Sequence, residues 1–542
     1  MKLYYSENLK QIDSATYSDF GYSEAVLMEN AGSGCFREFV KVYDKDENVL
    51  NKNCVISVIC GKGNNGGDGF VFSRYLFNAG YNVKTIILAE PNNYTGIAKL
   101  NLDILIKLNV EIIHTVNEND INILSESLND TDILIDAIFG IGINRDITGF
   151  YKNVIEIIES KNNYDVICLD NPSGFNTDSG FYMGTGVKNN IKKIFTFGGL
   201  KVGFYLNEGE KLNLHDKTIL IDINHPRILL DGCHANIEIL EEKKIAAYLP
   251  ERPPFNTKFD YGHALIIAGS PGKTGAAYMS SLAAFKAGAG LVTLAAPYEL
   301  NNILEIKTSE VMTYPVINDG SGCFNINGAE DISKNLLKNK TAVVIGPGLG
   351  LKKETADFLY NILELIEVPI VIDADGLNLI SEDMDFFKKL TRKNKNIVLT
   401  PHYKEMERLT KIDRKVIEKD PIKIGDDFVR EYGVCLLLKG ASMFAFSNNL
   451  KDKAIQYKHS PLLASGGSGD VLSGLIGSFI AQGIDLYKSI CLSSYLLVYS
   501  ANNLRNRYGE SGAGAVKIAL NIPNAVRLLR NDSQPPADKS EL

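Results

Sequence analysis

Short, apolar, β-rich runs alternate with longer amphipathic stretches along most of the chain. That alternation predicts parallel strands joined by helical crossovers, with helices on both faces of each sheet. In the first half, strands are expected at Cys54–Cys60, Val83–Leu88, Ile133–Asp136, Asp165–Asp170 and Ile194–Phe197. Helices are expected at Ser23–Tyr43, Gly69–Gly80, Gly96–Leu108 and Tyr151–Glu159. In the second half, Leu265–Ala268, Ala342–Ile345, Pro369–Asp373, Ile397–Thr400 and Val434–Leu438 are unbroken apolar runs, the pattern of strands buried on both faces. The apolar run Val471–Ile480 reads as a helix.

A chain of 542 residues exceeds what one hydrophobic core usually holds, so two domains are expected. A turn-rich, charged stretch between about 224 and 244 marks the joint. The expected division is 1–228, 237–530 and a polar, Pro-containing, disordered tail at 531–542. The net charge of −8, with lysines interspersed among acidic residues, argues against nucleic acid as main partner. No apolar run is long enough to span a bilayer, and the first residues lack the apolar core of a signal peptide. Eight scattered cysteines, without a Cys-x-x-Cys pair, read as reduced thiols of a cytoplasmic protein. Small-molecule partners and a homo-oligomer are expected.

Chemistry gathers where strands end. Residues 464–474 read Ala-Ser-Gly-Gly-Ser-Gly-Asp-Val-Leu-Ser-Gly. Glycines free backbone N–H groups to close around an anion, and the predicted helix start favours phosphate. Asp470 is then costly beside an anion, unless it is a base that takes a proton from a hydroxyl held there; the plainer reading is an N-cap. Gly346-Pro347-Gly348-Leu349-Gly350 brings backbone near a ligand or makes a tight turn. His402, in Thr-Pro-His with Glu405 after it, is a structural histidine or a substrate contact. Lys439 follows a strand and can meet nucleotide phosphate.

In the first half, Gly61-Lys62-Gly63-Asn64-Asn65-Gly66 holds a G-x-G-x-x-G after a strand and before a helix, as in dinucleotide-binding turns. The extra Asn64-Asn65 and Gly67-Asp68 are polar groups that such a turn does not need. Asp136 and Asp170 each close a strand and should face the crevice at the sheet's C-terminal edge; both could instead be helix caps. With Asn65 and Ser173 they make a set of hard oxygen donors, suited to an alkali or alkaline-earth cation.

Taken together, Asn30-Ala31-Gly32, the Asn-Asn-Gly-Gly-Asp loop, the Asp136–Asp146 run and Asp170-Asn171-Pro172-Ser173-Gly174 resemble the nicotinamide-nucleotide-hydrate epimerase family. From about 237 to 530, the runs Tyr261-Gly262-His263, Thr274-Gly275-Ala276-Ala277, Gly346–Gly350, Asp373-Ala374-Asp375, Thr400-Pro401-His402 and Leu438-Lys439-Gly440, with the 464–474 loop, resemble the ribokinase-like superfamily. Within it they are most similar to the nicotinamide-nucleotide-hydrate dehydratase branch. The resemblance implies an α/β chain of two domains, an N-terminal Rossmann-like three-layer αβα domain and a C-terminal ribokinase-like αβα domain.

By position it implies a K⁺ site of Asn65, Asp136 and Ser173, with Asp170 as catalytic acid/base. Epimerase substrate contacts fall on Asn64, Asn65, Gly66, Gly67, Asp68, Gly140, Ile141, Gly142, Ile143, Asn144, Arg145, Asp146 and Asp170. Dehydratase substrate contacts fall on Ala276, Gly348, His402 and Asp470, the last as catalytic base. Nucleotide contacts fall on Lys439, Gly440, Ala441, Ser442, Met443 and Gly469, for ADP with Mg²⁺. The implied substrates are NADH and NADPH hydrated at C6. One domain would interconvert the R and S forms, and the other would dehydrate the S form at the cost of ADP, giving AMP and phosphate. The chain departs from the epimerase pattern at Asn171 and at Ile191–Ile194, where an expected Asp and Thr are missing; their loss would weaken turnover if they orient Asp170. A small-alcohol kinase fused to a Rossmann redox domain, or to a non-catalytic binding domain, is the alternative.

Overall fold

The structure is a computed structural model that describes residues 1–43, 54–161, 163–233 and 237–532. The chain divides into two compact units, Lys2–Ile237 and Glu238–Leu542.

In the first unit seven parallel strands form one sheet. Across the sheet they run Glu111–His114, Asn82–Ile87, Val55–Cys60, Ile133–Ala137, Asp165–Leu169, Ile191–Phe197 and Thr218–Ile221. The five predicted strands are present, and Glu111–His114 and Thr218–Ile221 are additional edge strands. Both edge strands are part-exposed, so they lack the continuous apolar signal of the centre. Ile56, Val58, Ile135 and Ile167 from the central strands pack with Phe70 and Phe72 in the core. Chain order reverses between Val55–Cys60 and Ile133–Ala137, which makes the crevice beyond their C-terminal ends the natural ligand site.

One predicted boundary moves in a way that matters. The helix expected from Gly69 starts at Asn64, so Asn64–Asp68 is the first turn of the helix Asn64–Asn78 and not a loop. Two glycines lower helix propensity, but packing overrides it here. A side chain at Gly66 would run into the Gly61 carbonyl, and one at Gly67 would meet Met28.

In the second unit the strand order is Met312–Val316, Leu291–Pro297, His263–Ile267, Ala342–Ile345, Ile370–Ile372, Ile397–Leu399 and Cys435–Leu438, all parallel. Met443–Phe446 and Lys453–Gln456 then extend the sheet antiparallel, a hairpin not anticipated by the expectation of successive parallel strands. Here the order reverses between His263–Ile267 and Ala342–Ile345. The helix Ser468–Ala481 lies against the sheet closely enough that a side chain at Gly477 would overlap Val344. The helix Ala515–Asp532 runs into the segment expected to be a disordered tail; 533–542 lie outside the described residues.

Candidate functional site

At the switch point of the first unit lies a cavity of about 700 Å³. Of the residues expected to contact substrate, Asn64, Asn65, Asp68, Gly140, Ile141, Gly142, Arg145 and Asp170 line it. Gly66, Gly67, Ile143, Asn144 and Asp146 are absent from its lining. Gly66 and Gly67 serve the helix packing above, and the Ile143 carbonyl accepts a hydrogen bond from Asn176.

Asp170 follows its strand in a left-handed backbone conformation, φ 62°, unusual for a residue with a side chain. Besides the Phe195 carbonyl, which accepts from the Asp170 N–H at 2.7 Å, three groups hold it there. Lys201 Nζ donates to Asp170 Oδ1 at 2.6 Å, the Phe197 N–H donates to the same oxygen at 3.3 Å, and Thr196 Oγ1 donates to the Asp170 carbonyl at 2.9 Å. Lys201 is fully buried and also donates to Thr196 Oγ1 and the Phe197 carbonyl. Oδ2 is left to face Gly140, where an added Cβ would sit 3.0 Å away. Asp170 is therefore oriented by Lys201, Thr196 and Phe197, and no hydrogen bond to it comes from the altered Ile191–Ile194 stretch. Lys201 has no local signal linking it to Asp170, which lies thirty-one positions earlier.

Asp136 and Ser173 are fully buried and joined: Ser173 Oγ donates to Asp136 Oδ1 at 2.6 Å and its N–H to Oδ2 at 2.8 Å. Burial raises the Asp136 carboxyl to about 6 against the pull of these bonds. Asn65 is 7% exposed, and both polar atoms of its amide are buried without a hydrogen-bond partner among the described residues. Such orphaned atoms are costly unless something fills them. An amide oxygen in need of a partner, a carboxylate and a hydroxyl are hard donors whose chemistry fits a monovalent cation.

The cavity also holds groups the sequence did not single out. Asp13 accepts from, or donates to, His225 Nε2 at 2.8 Å, and the pair is separated by 212 positions. Tyr17 lines the same wall, and burial, then Asp13, push its hydroxyl up to about 12.

In the second unit Asp470 sits in the first turn of the helix Ser468–Ala481, whose N-cap Gly467 has φ 97°. Burial, then the charge of Asp373, raise the Asp470 carboxyl to about 7, against Lys439. Lys439 Nζ donates to Asp373 Oδ1 at 2.7 Å. That ion pair abuts the loop: a Cβ at Gly469 would lie 3.7 Å from Lys439 Nζ and 4.0 Å from Asp373 Oδ2. Lys439 thus reaches the helix N-terminus, where its charge and the free N–H groups suit a phosphate. Gly440 packs on Tyr403, while Ser442 and Met443 are buried where the hairpin strand begins.

His402 fills the structural role and leaves its ring partly free. Its Nδ1 caps the helix Tyr403–Thr410 by accepting from the Glu405 N–H at 3.1 Å, and Glu405 returns a bond from the His402 N–H at 2.9 Å. The ring stays half exposed, next to Lys439 across a parallel bridge. Burial, then Lys439, lower the His402 pKa, while burial raises Glu405 to about 7. Ala276 lies beside Gly348, whose own backbone has φ 62°. Asp375 is tied to Lys273 and to the Gly350 N–H, so it shapes the 346–350 turn.

The chain matches two family models, described as YjeF-related protein N-terminus over residues 24–203 and NAD(P)H-hydrate dehydratase over residues 264–524. A bifunctional NAD(P)H-hydrate repair enzyme of Moorella thermoacetica is 32% identical, with 98% of each chain covered. One of Thermofilum pendens is 30% identical, covering 98% of this chain and 97% of that one. A solved ADP/ATP-dependent NAD(P)H-hydrate dehydratase of Bacillus subtilis is 21% identical, covering 54% of this chain and 99% of that one, with a TM-score of 0.46. The kinase-fusion alternative gives way to the two family models and the full-length relatives, which span both halves of the chain. With a carboxylate at the switch-point cavity of one unit, a carboxylate at a glycine-rich helix start in the other, and full-length relatives matched over both, the chain belongs to the bifunctional NAD(P)H-hydrate repair enzymes, as epimerase and dehydratase in one polypeptide.

Proposed function

We propose that residues 1–228 epimerise NADHX and NADPHX at C6, with Asp170 in acid/base catalysis. We assign to residues 237–530 the ADP-dependent dehydration of the S form, with Asp470 as base. The observation that carries this assignment is the Asp170 carboxyl, anchored by buried Lys201 and open on its other oxygen to a cavity of about 700 Å³, within the size of small-molecule sites.

In the hydrated ring C6 carries a hydroxyl and is bonded to the ring nitrogen. Protonating the hydroxyl lets the nitrogen lone pair expel water; water returning on the other face inverts the centre. No nucleotide is consumed. Asn65, Asp136 and Ser173 would hold K⁺, which supplies a fixed positive charge beside an anionic substrate.

Dehydration in the second unit must be irreversible, and hydroxide leaves poorly. Asp470 takes the C6 hydroxyl proton as that oxygen attacks the terminal phosphoryl of ADP. The C6–O bond then breaks with phosphate as leaving group as the nitrogen lone pair forms a C6–N double bond, and loss of a proton from C5 to water makes the C5–C6 double bond, giving AMP, phosphate and the restored dihydronicotinamide. Lys439 and the backbone from Gly440 to Met443 and at Gly469 hold the donor, with Ala276, Gly348 and His402 around the substrate. Mg²⁺ carried by the nucleotide would neutralise phosphoryl charge. No helix among the described residues is long and apolar enough to cross a membrane, and the eight cysteines are free thiols, which supports a cytoplasmic setting.

The test uses separated R and S epimers with the full chain, with and without ADP. Without ADP each epimer should convert to the other; with ADP both should disappear as the dihydronicotinamide absorbance returns. Epimers that interconvert no faster than in buffer would remove the epimerase assignment.

A further inference from the structure

Inversion at C6 makes a demand that one carboxyl does not meet by itself. Water leaves from one face of the ring and enters on the other, so the proton given and the proton taken are on opposite faces. Resting on the epimerase reading above, we propose that Asp68 is a second acid/base group of this reaction, working the face opposite Asp170.

The placement carries it. Asp68 stands in the helix that follows Val55–Cys60, and Asp170 follows Asp165–Leu169. In the sheet those strands flank Ile133–Ala137, whose outgoing residues Ile138–Gly140 line the cavity between them. Both carboxyls line that cavity. They are equipped differently. One Asp170 oxygen is taken by Lys201 and the Phe197 N–H, a setting for a carboxylate. Asp68 is 8% exposed and its carboxyl makes no hydrogen bond among the described residues, although it faces the cavity. A buried carboxyl without partners is costly as an anion, and so is suited to carry a proton. The charged and titratable groups that act on it are Asp170, Asp13 with its partner His225, Lys201 and Tyr17. Burial first, then Asp170 and Asp13, push Asp68 well above the usual carboxylate range, with Lys201 opposing. A carboxyl without partners and a carboxyl held by an ammonium and an N–H give the cavity two unlike groups for handling a proton.

The step balances. The Asp68 acid gives its proton to the C6 hydroxyl; the C6–O bond breaks, its electron pair leaves with water, and the nitrogen lone pair forms the C6–N double bond. A second water adds to the other face, the π pair returns to nitrogen, and the Asp170 carboxylate takes the excess proton. The enzyme then holds its proton on Asp170, the form that acts on the opposite epimer, and a proton passing back between the two carboxyls through cavity water resets it.

The experiment offers each pure epimer to the full chain in ¹⁸O-water, with the wild type, Asp68→Asn, Asp170→Asn and Asp68→Glu. Epimers are separated by chromatography, and label at C6 is read by mass spectrometry. Asp68→Asn should epimerise about 10²–10⁴-fold more slowly, yet still exchange the hydroxyl oxygen in one epimer, by loss and return of water on the Asp170 face. Asp170→Asn should retain exchange in the other epimer only, and Asp68→Glu should recover part of the epimerisation. Near-normal epimerisation by Asp68→Asn overturns the proposal. So does loss of exchange in both epimers, or an Asp68→Glu protein no better than Asp68→Asn, since either makes Asp68 a structural group. A wild type that does not epimerise would instead remove the reading on which the proposal rests.

Discussion

Replacing Lys201 by Met tests whether a buried charge pair holds the epimerase carboxylate in place. Lys201 is 0% exposed and its ammonium has three acceptors, Asp170 Oδ1 at 2.6 Å, Thr196 Oγ1 at 2.6 Å and the Phe197 carbonyl at 2.9 Å. Methionine keeps the volume and removes the charge. Asp170 is then a nearly buried carboxylate in a left-handed backbone, without its cation. Breaking one side of a buried pair typically costs about 3–5 kcal/mol. Asp170 borders a cavity that water can enter, so the lower end, about 3 kcal/mol, applies. For a unit of this size that is a fall in melting temperature of about 6–12 °C. Calorimetry of the full chain would read it, and amide exchange over Asp165–Leu169 and Ile191–Phe197 would assign it to the first unit. The double change Asp170→Asn with Lys201→Met leaves neither charge alone and should restore part of the loss, a coupling of about 2–3 kcal/mol. A single variant that melts within about 2 °C of wild type, or a double variant whose loss is the sum of the singles, would refute the argument that the pair acts as a unit.

Asp470→Asn should lose ADP-dependent dehydration by about 10²–10⁴-fold while epimerisation continues; near-normal turnover would reduce Asp470 to a helix-start residue. Because a base must be ionised and Asp470 is raised to about 7, dehydratase kcat/KM should fall as pH drops through about 7 and level off above it. Asp373→Asn should move that limb to lower pH, since it removes a repelling carboxylate and leaves Lys439 unopposed; the donor phosphate titrates alike in both proteins, so an unmoved limb counts against Asp470 as the titrating base. Epimerisation measured without ADP should rise with K⁺, and Asp136→Ala should remove the response; equal rates in K⁺-free buffer would discard the cation assignment.

What the sequence disclosed follows from how locally each signal is written. Ala342–Ile345 and Ile133–Ala137 were legible because both faces of these strands are buried, so every position is apolar until the functional residue that ends the run. Glu111–His114 was not, because an edge strand with exposed ends carries no continuous apolar signal. The hairpin Met443–Phe446 with Lys453–Gln456 lies beyond the last expected strand, Val434–Leu438, and turns back through Ser447–Asp452. Asn64–Asp68 looked like a loop since glycine disfavours helices, whereas Gly66 and Gly67 are there because nothing larger fits between that helix turn, Gly61 and Met28. The site shows the same division. Asp170, Asp136 and Asp470 stand at strand or helix ends and could be read in place. Lys201, His225 with Asp13, and the pairing of Lys439 with Asp373 join positions far apart in the chain, so no local pattern announces them.

Those long-range pairs give the two active units a common logic. Each pairs a lysine with one aspartate, Lys201 with Asp170 and Lys439 with Asp373, and each places a second, raised carboxyl nearby, Asp68 and Asp470. Each lysine gives the first aspartate a cationic hydrogen-bond donor, at 2.6 Å to Asp170 and 2.7 Å to Asp373. Burial first, and then the charge of that aspartate, push the second carboxyl above the usual carboxylate range. The division of labour differs with exposure. Asp170 keeps one oxygen toward the cavity, so the lysine-bound carboxylate can itself react. Asp373 is 1% exposed, so it acts only through its field on Asp470. Reversible epimerisation needs two groups that trade a proton across the ring, and irreversible dehydration needs one base beside a phosphoryl group. Under the proposed assignments, the same pair of aspartates and a lysine serves both, according to which carboxyls reach the substrate.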